Sequence, residues 1–169
     1  QAEILTRANS ELRCSTQIIE PNTKKKITKD LIPDALFGLE YGRGQQRYYR
    51  FFVVEADRGT EPATSRNFNR KSHLRSILQY RDYIGNGRYK SHLGLTSSLM
   101  VLNVLTDATK QRKMVTLTNK TSGTSGNSYM LFRTCENFGP VFKPPKPMPE
   151  LLEGTWERAG QGDFHISEP

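Results

Sequence analysis

Residues 51–61, FFVVEADRGTE (Phe51 to Glu61), decide how the rest of the chain is read. Five of the first six residues are apolar, with Glu55 the only break, and such a run reads as a strand covered on both faces. Glu55 and Asp57 stand two apart, and side chains two apart on a strand share a face. Two unpaired anions on a buried face carry a large desolvation cost, which a divalent cation is suited to offset. A strand that ends at Glu55, leaving both acids in water, fits the same residues.

Immediately upstream, residues 31–41 (LIPDALFGLEY) form a second strand pattern, interrupted at Pro33-Asp34. A proline in a strand marks an edge, a start or a bulge, and bulges re-aim side chains beside active sites. Residues 42–46 (GRGQQ) read as a turn, so 48–57 returns as the hairpin partner. That hairpin expects Asp34 on the strand next to Glu55 and Asp57, with three carboxylates converging at one end of a sheet. Further upstream, Ile4, Leu5, Ala8 and Leu12 have helical spacing, which predicts a helix over 1–14. Residues 15–20 read as a short strand, and Lys24, Lys25 and Lys26 as an exposed basic loop.

Downstream, 59–69 reads as a linker with Ser65 as an N-cap, followed by a helix over 66–84 that stops at Gly85-Asn86-Gly87. Leu74, Ile77, Leu78, Arg81 and Ile84 share one stripe of it; Lys71, Arg75, Gln79 and Tyr83, spaced by four, form the adjacent stripe. Seven basic residues lie between Arg66 and Lys90 against one acid, Asp82. Phosphate contact by Arg70, Arg75, Arg81, Arg88 and Lys90 fits this stretch, and so does a solvated basic face. Residues 99–105 (LMVLNVL) predict a buried strand. A helix over 108–119, capped by Thr106 or Asp107, carries Lys110, Arg112 and Lys113, and 121–128 reads as a loop. A last core strand runs over 129–133. From Phe138 the chain is proline-rich and reads as extended over the surface, anchored by Trp156, Phe164 and Ile166.

The chain has 169 residues, enough for one domain with a real core. Its net charge of +8 suits a polyanionic partner, nucleic acid before an acidic membrane surface. No run approaches the roughly 20 apolar residues of a membrane helix. Cys14 and Cys135 form neither a disulfide framework nor a metal-ligand spacing, which fits reduced thiols in the cytoplasm. The first residue is Gln1, which fits a fragment or processed chain.

The order helix, three strands, helix, strand, helix, strand resembles the PD-(D/E)XK, restriction-endonuclease-like superfamily. Pro33-Asp34 matches its leading element, Glu55-Ala56-Asp57 stands at its (D/E)XK element, and Gln79 to Tyr83 matches a QxxxY helix motif. The phrases PDALF, VEADRGTE and KSHLRSILQYRDY are most similar to the replication-relaxation family of plasmids and other mobile elements. The resemblance spans roughly residues 30–135. It implies a mixed α/β fold: four to five strands flanked by helices in an αβββαβ core over residues 1–137, with a tail over 138–169 packed on it. It implies Mg²⁺ or Mn²⁺ on Asp34, Glu55 and Asp57, with Lys71, Gln79 and Tyr83 completing the catalytic set for phosphodiester hydrolysis. DNA is the implied partner, with a second copy or a replication or mobilisation protein compatible. Asp57 departs from the motif, since a lysine is expected there to stabilise charge on phosphate. Lys71 is the lysine placed to replace it, and a catalytically inactive DNA-binding accessory protein is the alternative that this departure leaves open.

Overall fold

The computed structural model describes residues 5–6, 10–43, 46–123, 127–135 and 146–168. Its centre is a seven-stranded mixed sheet with a separate two-stranded hairpin alongside. In chain order the strands are β1 (Leu5–Thr6), β2 (Cys14–Ile19), β3 (Lys26–Leu31), β4 (Ala35–Arg43), β5 (Gln46–Asp57), β6 (Leu99–Leu105), β7 (Met130–Thr134), β8 (Thr155–Arg158) and β9 (Phe164–His165). The helices are α1 (His73–Tyr80), α2 (Arg88–Leu93), α3 (Ala108–Ser122) and α4 (Glu150–Glu153). The large sheet has the order β1-β4-β5-β6-β7-β8-β9, and β2-β3 form the hairpin. The mixed α/β class is as the sequence implies, with more strands than the four to five expected.

β5 is the pivot. It pairs antiparallel with β4, as the hairpin reading requires, and parallel with β6, Glu55 lying opposite Asn103. Its alternation sorts two cores. Val53 packs with Leu99, Val101, Ile77, Tyr80 and Met114 on the helix side, while Phe52 packs with Leu102, Leu131, Trp156 and Ile166 on the other. Glu55 and Asp57, in phase with Val53, therefore face α1 and α3. Trp156 and Ile166 are fully buried as expected, Phe164 partly so, and β8 extends the sheet by pairing with β7.

Three boundaries differ from the sequence reading. The expected helix over 1–14 is absent where the chain is described: Leu5 and Thr6 pair with Leu36 and Ala35, and Ser10–Leu12 is one 3-10 turn. Helical spacing of four apolar residues is a weak force beside an unpaired strand edge with free backbone groups. The strand expected over 31–41 is two strands in different sheets, split at Pro33, which has no N–H to give a ladder. The helix expected from Arg66 begins at His73, capped by Ser72 rather than Ser65. Asn67 accounts for the delay: its carbonyl takes the Arg70 N–H and the Ser65 hydroxyl, and its side chain takes the Asn69 N–H. Such local bonds compete with helix formation. Residues 81–85 then continue α1 as a π-helical turn.

The hairpin β2-β3 covers the outer face of α1, where Ile18, Phe68 and Leu78 form a small third core. α1 is thus held between hairpin and sheet, which positions its side chains over β5.

Candidate active site

Pro33 is buried, and Asp34 enters β4 beside the end of β5. The Asp34 N–H donates to the Val54 carbonyl at 3.0 Å, and Asp34 Oδ2 accepts the Ala56 N–H at 2.9 Å. One backbone bond and one bond to the Asp34 carboxylate therefore clamp the Pro33-Asp34 element to the residues flanking Glu55.

Glu55 is the buried centre of the site, with its side chain 12% exposed. Tyr80, buried on α1, donates its hydroxyl to Glu55 Oε1 at 2.5 Å, and Lys71 Nζ stands 3.5 Å from Oε2. Lys71 also binds Glu61 at 2.8 Å. Burial pushes the Glu55 carboxyl up from the ordinary 4.5 to about 7; Lys71 and Tyr80 oppose this, while the charges of Asp34 and Glu61 add to it. Burial also disfavours the Lys71 ammonium, but Glu55 and Glu61 together outweigh it and raise its pKa. Asp34, Glu55, Glu61 and Lys71 therefore form one electrostatic unit in which Glu55 is close to half-ionised near neutral pH.

Asp57 shares the face of Glu55 but belongs to a different network. Its Oδ1 accepts the N–H groups of Gly59 and Thr60 at 2.8 and 3.1 Å. Gly59 has φ +88°, a conformation that favours glycine, and this turn brings Glu61 back to the site. Asp57 Oδ2 lies 2.8 Å from Nε2 of the buried His73 and is ion-paired with Lys110 of α3. Burial would raise this carboxyl, but His73 and Lys110 overcome it and hold the pKa well below the usual carboxylate range. Asp57 is a strut tying β5 to α1 and α3. Between it and Glu55 lies a void of about 20 Å³, walled also by Glu61, Lys71, His73 and Asn103. That is room for one water-sized occupant.

The other expected residues divide in the same way. Gln79 is 2% exposed and faces away from the acids; its amide nitrogen serves Thr16 Oγ1, the Asp30 carbonyl and the Lys29 carbonyl at 3.0, 3.0 and 3.3 Å. Tyr83 is also buried, its hydroxyl 2.6 Å from His92 Nδ1. The QxxxY pair thus anchors α1, and the neighbouring Tyr80 reaches Glu55 instead. Of the basic residues, Arg75 binds the Asn69 carbonyl at 2.7 Å, Arg81 the Thr121 carbonyl at 3.0 Å, and Arg88 pairs with Asp82. Arg70 and Lys90 are exposed and, among the described residues, form no ion pair. Lys71 does reach the acids, from the residue before the N-cap rather than from within the helix. Glu61, His73, Tyr80 and Lys110 are site residues that the sequence reading does not mark. Glu61 lay inside the quoted stretch and Tyr80 inside the QxxxY phrase, whereas nothing local marks His73 or Lys110.

Asp34 and Glu55 are hard oxygen donors, close enough for the Asp34 charge to act on Glu55. This fits Mg²⁺, which usually binds through one or two carboxylates and keeps several waters. Asp57 does not fit as a third ligand, because its oxygens are committed to His73, Lys110 and the Gly59 turn. Among the described residues, no three His, Cys, Asp or Glu side chains gather as a metal cage.

The family model described as replication-relaxation matches residues 5–99, more than half of the chain. The chain belongs to the replication-relaxation family. The match includes Asp34, Glu55, Asp57, Glu61, Lys71 and Tyr80, and ends before Lys110. It begins upstream of the span over which the sequence phrases carried the resemblance and stops short of that span's end. No curated protein and no solved structure matches. Membership makes this a replication-related protein, and among the described residues no helix is long and apolar enough to cross a membrane.

Proposed function

We propose that this replication-relaxation protein is a phosphodiester-cleaving, DNA-processing protein of a plasmid, phage or other mobile element, with a site of the PD-(D/E)XK type acting on DNA in the cytoplasm. The observation that carries the reading is Lys71 Nζ at 3.5 Å from Glu55, beside Asp34, with no lysine at position 57. An ammonium delivered from the segment before α1 occupies the electrostatic role that the strand lysine would fill.

In this reading Asp34 and Glu55 would hold Mg²⁺ or Mn²⁺, which when bound would supply Lewis-acid polarisation of a phosphoryl oxygen and lower the pKa of water. The chain's own residues do the rest. Tyr80 fixes the Glu55 rotamer through its hydroxyl. Glu61 steers Lys71, and Lys71 stabilises negative charge that develops on the phosphate. Asp57, Gln79 and Tyr83 hold the elements that carry these groups. Arg70 and Lys90 are available for backbone phosphates; Arg75, Arg81 and Arg88 are already engaged within the fold and contribute less.

The test is cleavage of plasmid and linear DNA with Mg²⁺ or Mn²⁺ by the wild type, Asp34→Ala, Glu55→Gln and Lys71→Ala. The expected loss is about 100-fold or more for each variant. Equal turnover in all four, or turnover independent of either cation, overturns the assignment. The second reading is a DNA-binding replication accessory protein without turnover. The commitment of Asp57 to His73 and Lys110 at the lysine position favours it, and it is the outcome if wild type binds DNA and never cuts it.

A further inference from the structure

Beside the acid pocket lies a wider cleft of about 290 Å³, bounded by Gly59, Glu61, His73, Thr109, Lys110 and Lys113. It shares Glu61 and His73 with the acid pocket, so the two open next to each other. The charges on its walls are unequally committed. Glu61 is held by Lys71 at 2.8 Å, and the Asp107 carboxylate, at the start of α3, accepts the Lys110 N–H at 2.7 Å. Lys110 is spent on Asp57. Lys113 is exposed and, among the described residues, has no partner; the same holds for Arg58, next to Gly59 at the rim. Thr109 and Lys113 are four apart on α3 and so face the same way. The wall thus offers an ammonium without a partner among the described residues and a hydroxyl donor, while Glu61 is paired with Lys71 and Asp107 caps α3.

We infer that this cleft seats a backbone phosphate of a nucleic-acid strand, held by Lys113 and the Thr109 hydroxyl, beside the acid pocket. This rests on the nucleic-acid part of the proposed function and does not require hydrolysis. A free phosphate ion has the same chemistry. The polymer is favoured because the cleft shares the Glu61 and His73 wall with the acid pocket, and because the exposed Arg58, next in sequence to Gly59 of the cleft wall, offers a second cation.

The experiment is anisotropy of a labelled DNA oligonucleotide with the full chain, titrated between 50 and 200 mM salt. The variants are Lys113→Ala and, at the far end of α3, Lys120→Ala; both side chains are exposed and, among the described residues, neither has a partner. The expected result is about tenfold weaker binding at low salt for Lys113→Ala, with the slope of log K against log salt reduced by about one. Lys120→Ala should leave both unchanged. Equal effects of the two variants, or none from either, overturn the inference. So does a result in which Lys113→Ala abolishes stabilisation by inorganic phosphate in a melting assay but leaves DNA binding intact, which would mark a seat for the free ion. A wild type that binds DNA through Lys113 without cleaving it refutes hydrolysis and leaves this seat standing.

Discussion

Replacing Asp57 with Asn should cost stability first, and this separates a strut from a metal ligand. The substitution keeps shape and the Gly59 and Thr60 contacts to Oδ1, but removes the charge facing His73 and Lys110. Lys110, its side chain only 16% exposed, then loses the one ion-pair partner it has among the described residues. Removing one partner of a buried pair costs about 3–5 kcal/mol, because the remaining charge keeps its desolvation penalty. For a chain of this size about 1 kcal/mol shifts the melting temperature by about 2–4 °C, so a drop of roughly 6–20 °C is expected. The sign with pH follows from the depressed Asp57 pKa. Its stabilisation is present above the unfolded-state pKa near 3.8 and is lost as pH falls towards the lower folded value. The gap between wild type and variant should therefore be full at pH 7 and shrink below about pH 4. Differential scanning calorimetry in EDTA at several pH values measures this without any metal. Unchanged melting in EDTA, with cation-induced stabilisation lost, would refute the strut and restore Asp57 as a ligand. Combining Asp57→Asn with Lys110→Met should recover much of the loss, since the ammonium left without its partner is removed while the Gly59 and Thr60 contacts stay.

Two further outcomes follow from the same network. Because the folded Glu55 carboxyl is raised to about 7, its contribution to stability is full below pH 4.5 and lost as pH rises through 7, a change of about 3 kcal/mol. Urea titrations of the metal-free protein between pH 4 and 8 should show this decline in wild type and not in Glu55→Gln; parallel profiles would contradict the raised carboxyl. Gln79→Ala strands the Thr16 and Asp30 acceptors and should cost about 1–3 kcal/mol, with hydrogen exchange accelerated in β2 and β3 more than in β5 and β6. Uniform acceleration across the sheet would contradict its role as the hairpin clamp.

The chain alone specified the centre of this protein. The β5 stretch, the 99–105 strand and the 108–119 helix could be read because each is a local pattern: an apolar run, or an apolar stripe with an aspartate cap. Asp34 beside Glu55 could be read as well, since a hairpin has a narrow choice of register. The partners of those acids were not legible in that way. Lys71 bridges Glu55 and Glu61, Tyr80 rather than Tyr83 reaches Glu55, and Asp57 closes on His73 and Lys110; all are set by where α1 and α3 land on the sheet. Those landings depend on Asn67 delaying the helix and on β2-β3 pinning Gln79 from outside, contacts between residues tens of positions apart that carry no periodic signal. Two carboxylates two apart share a face by backbone geometry, but whether each meets a cation, a lysine or a histidine depends on packing. That choice made Glu55 half-ionised near neutral pH and Asp57 a buried strut.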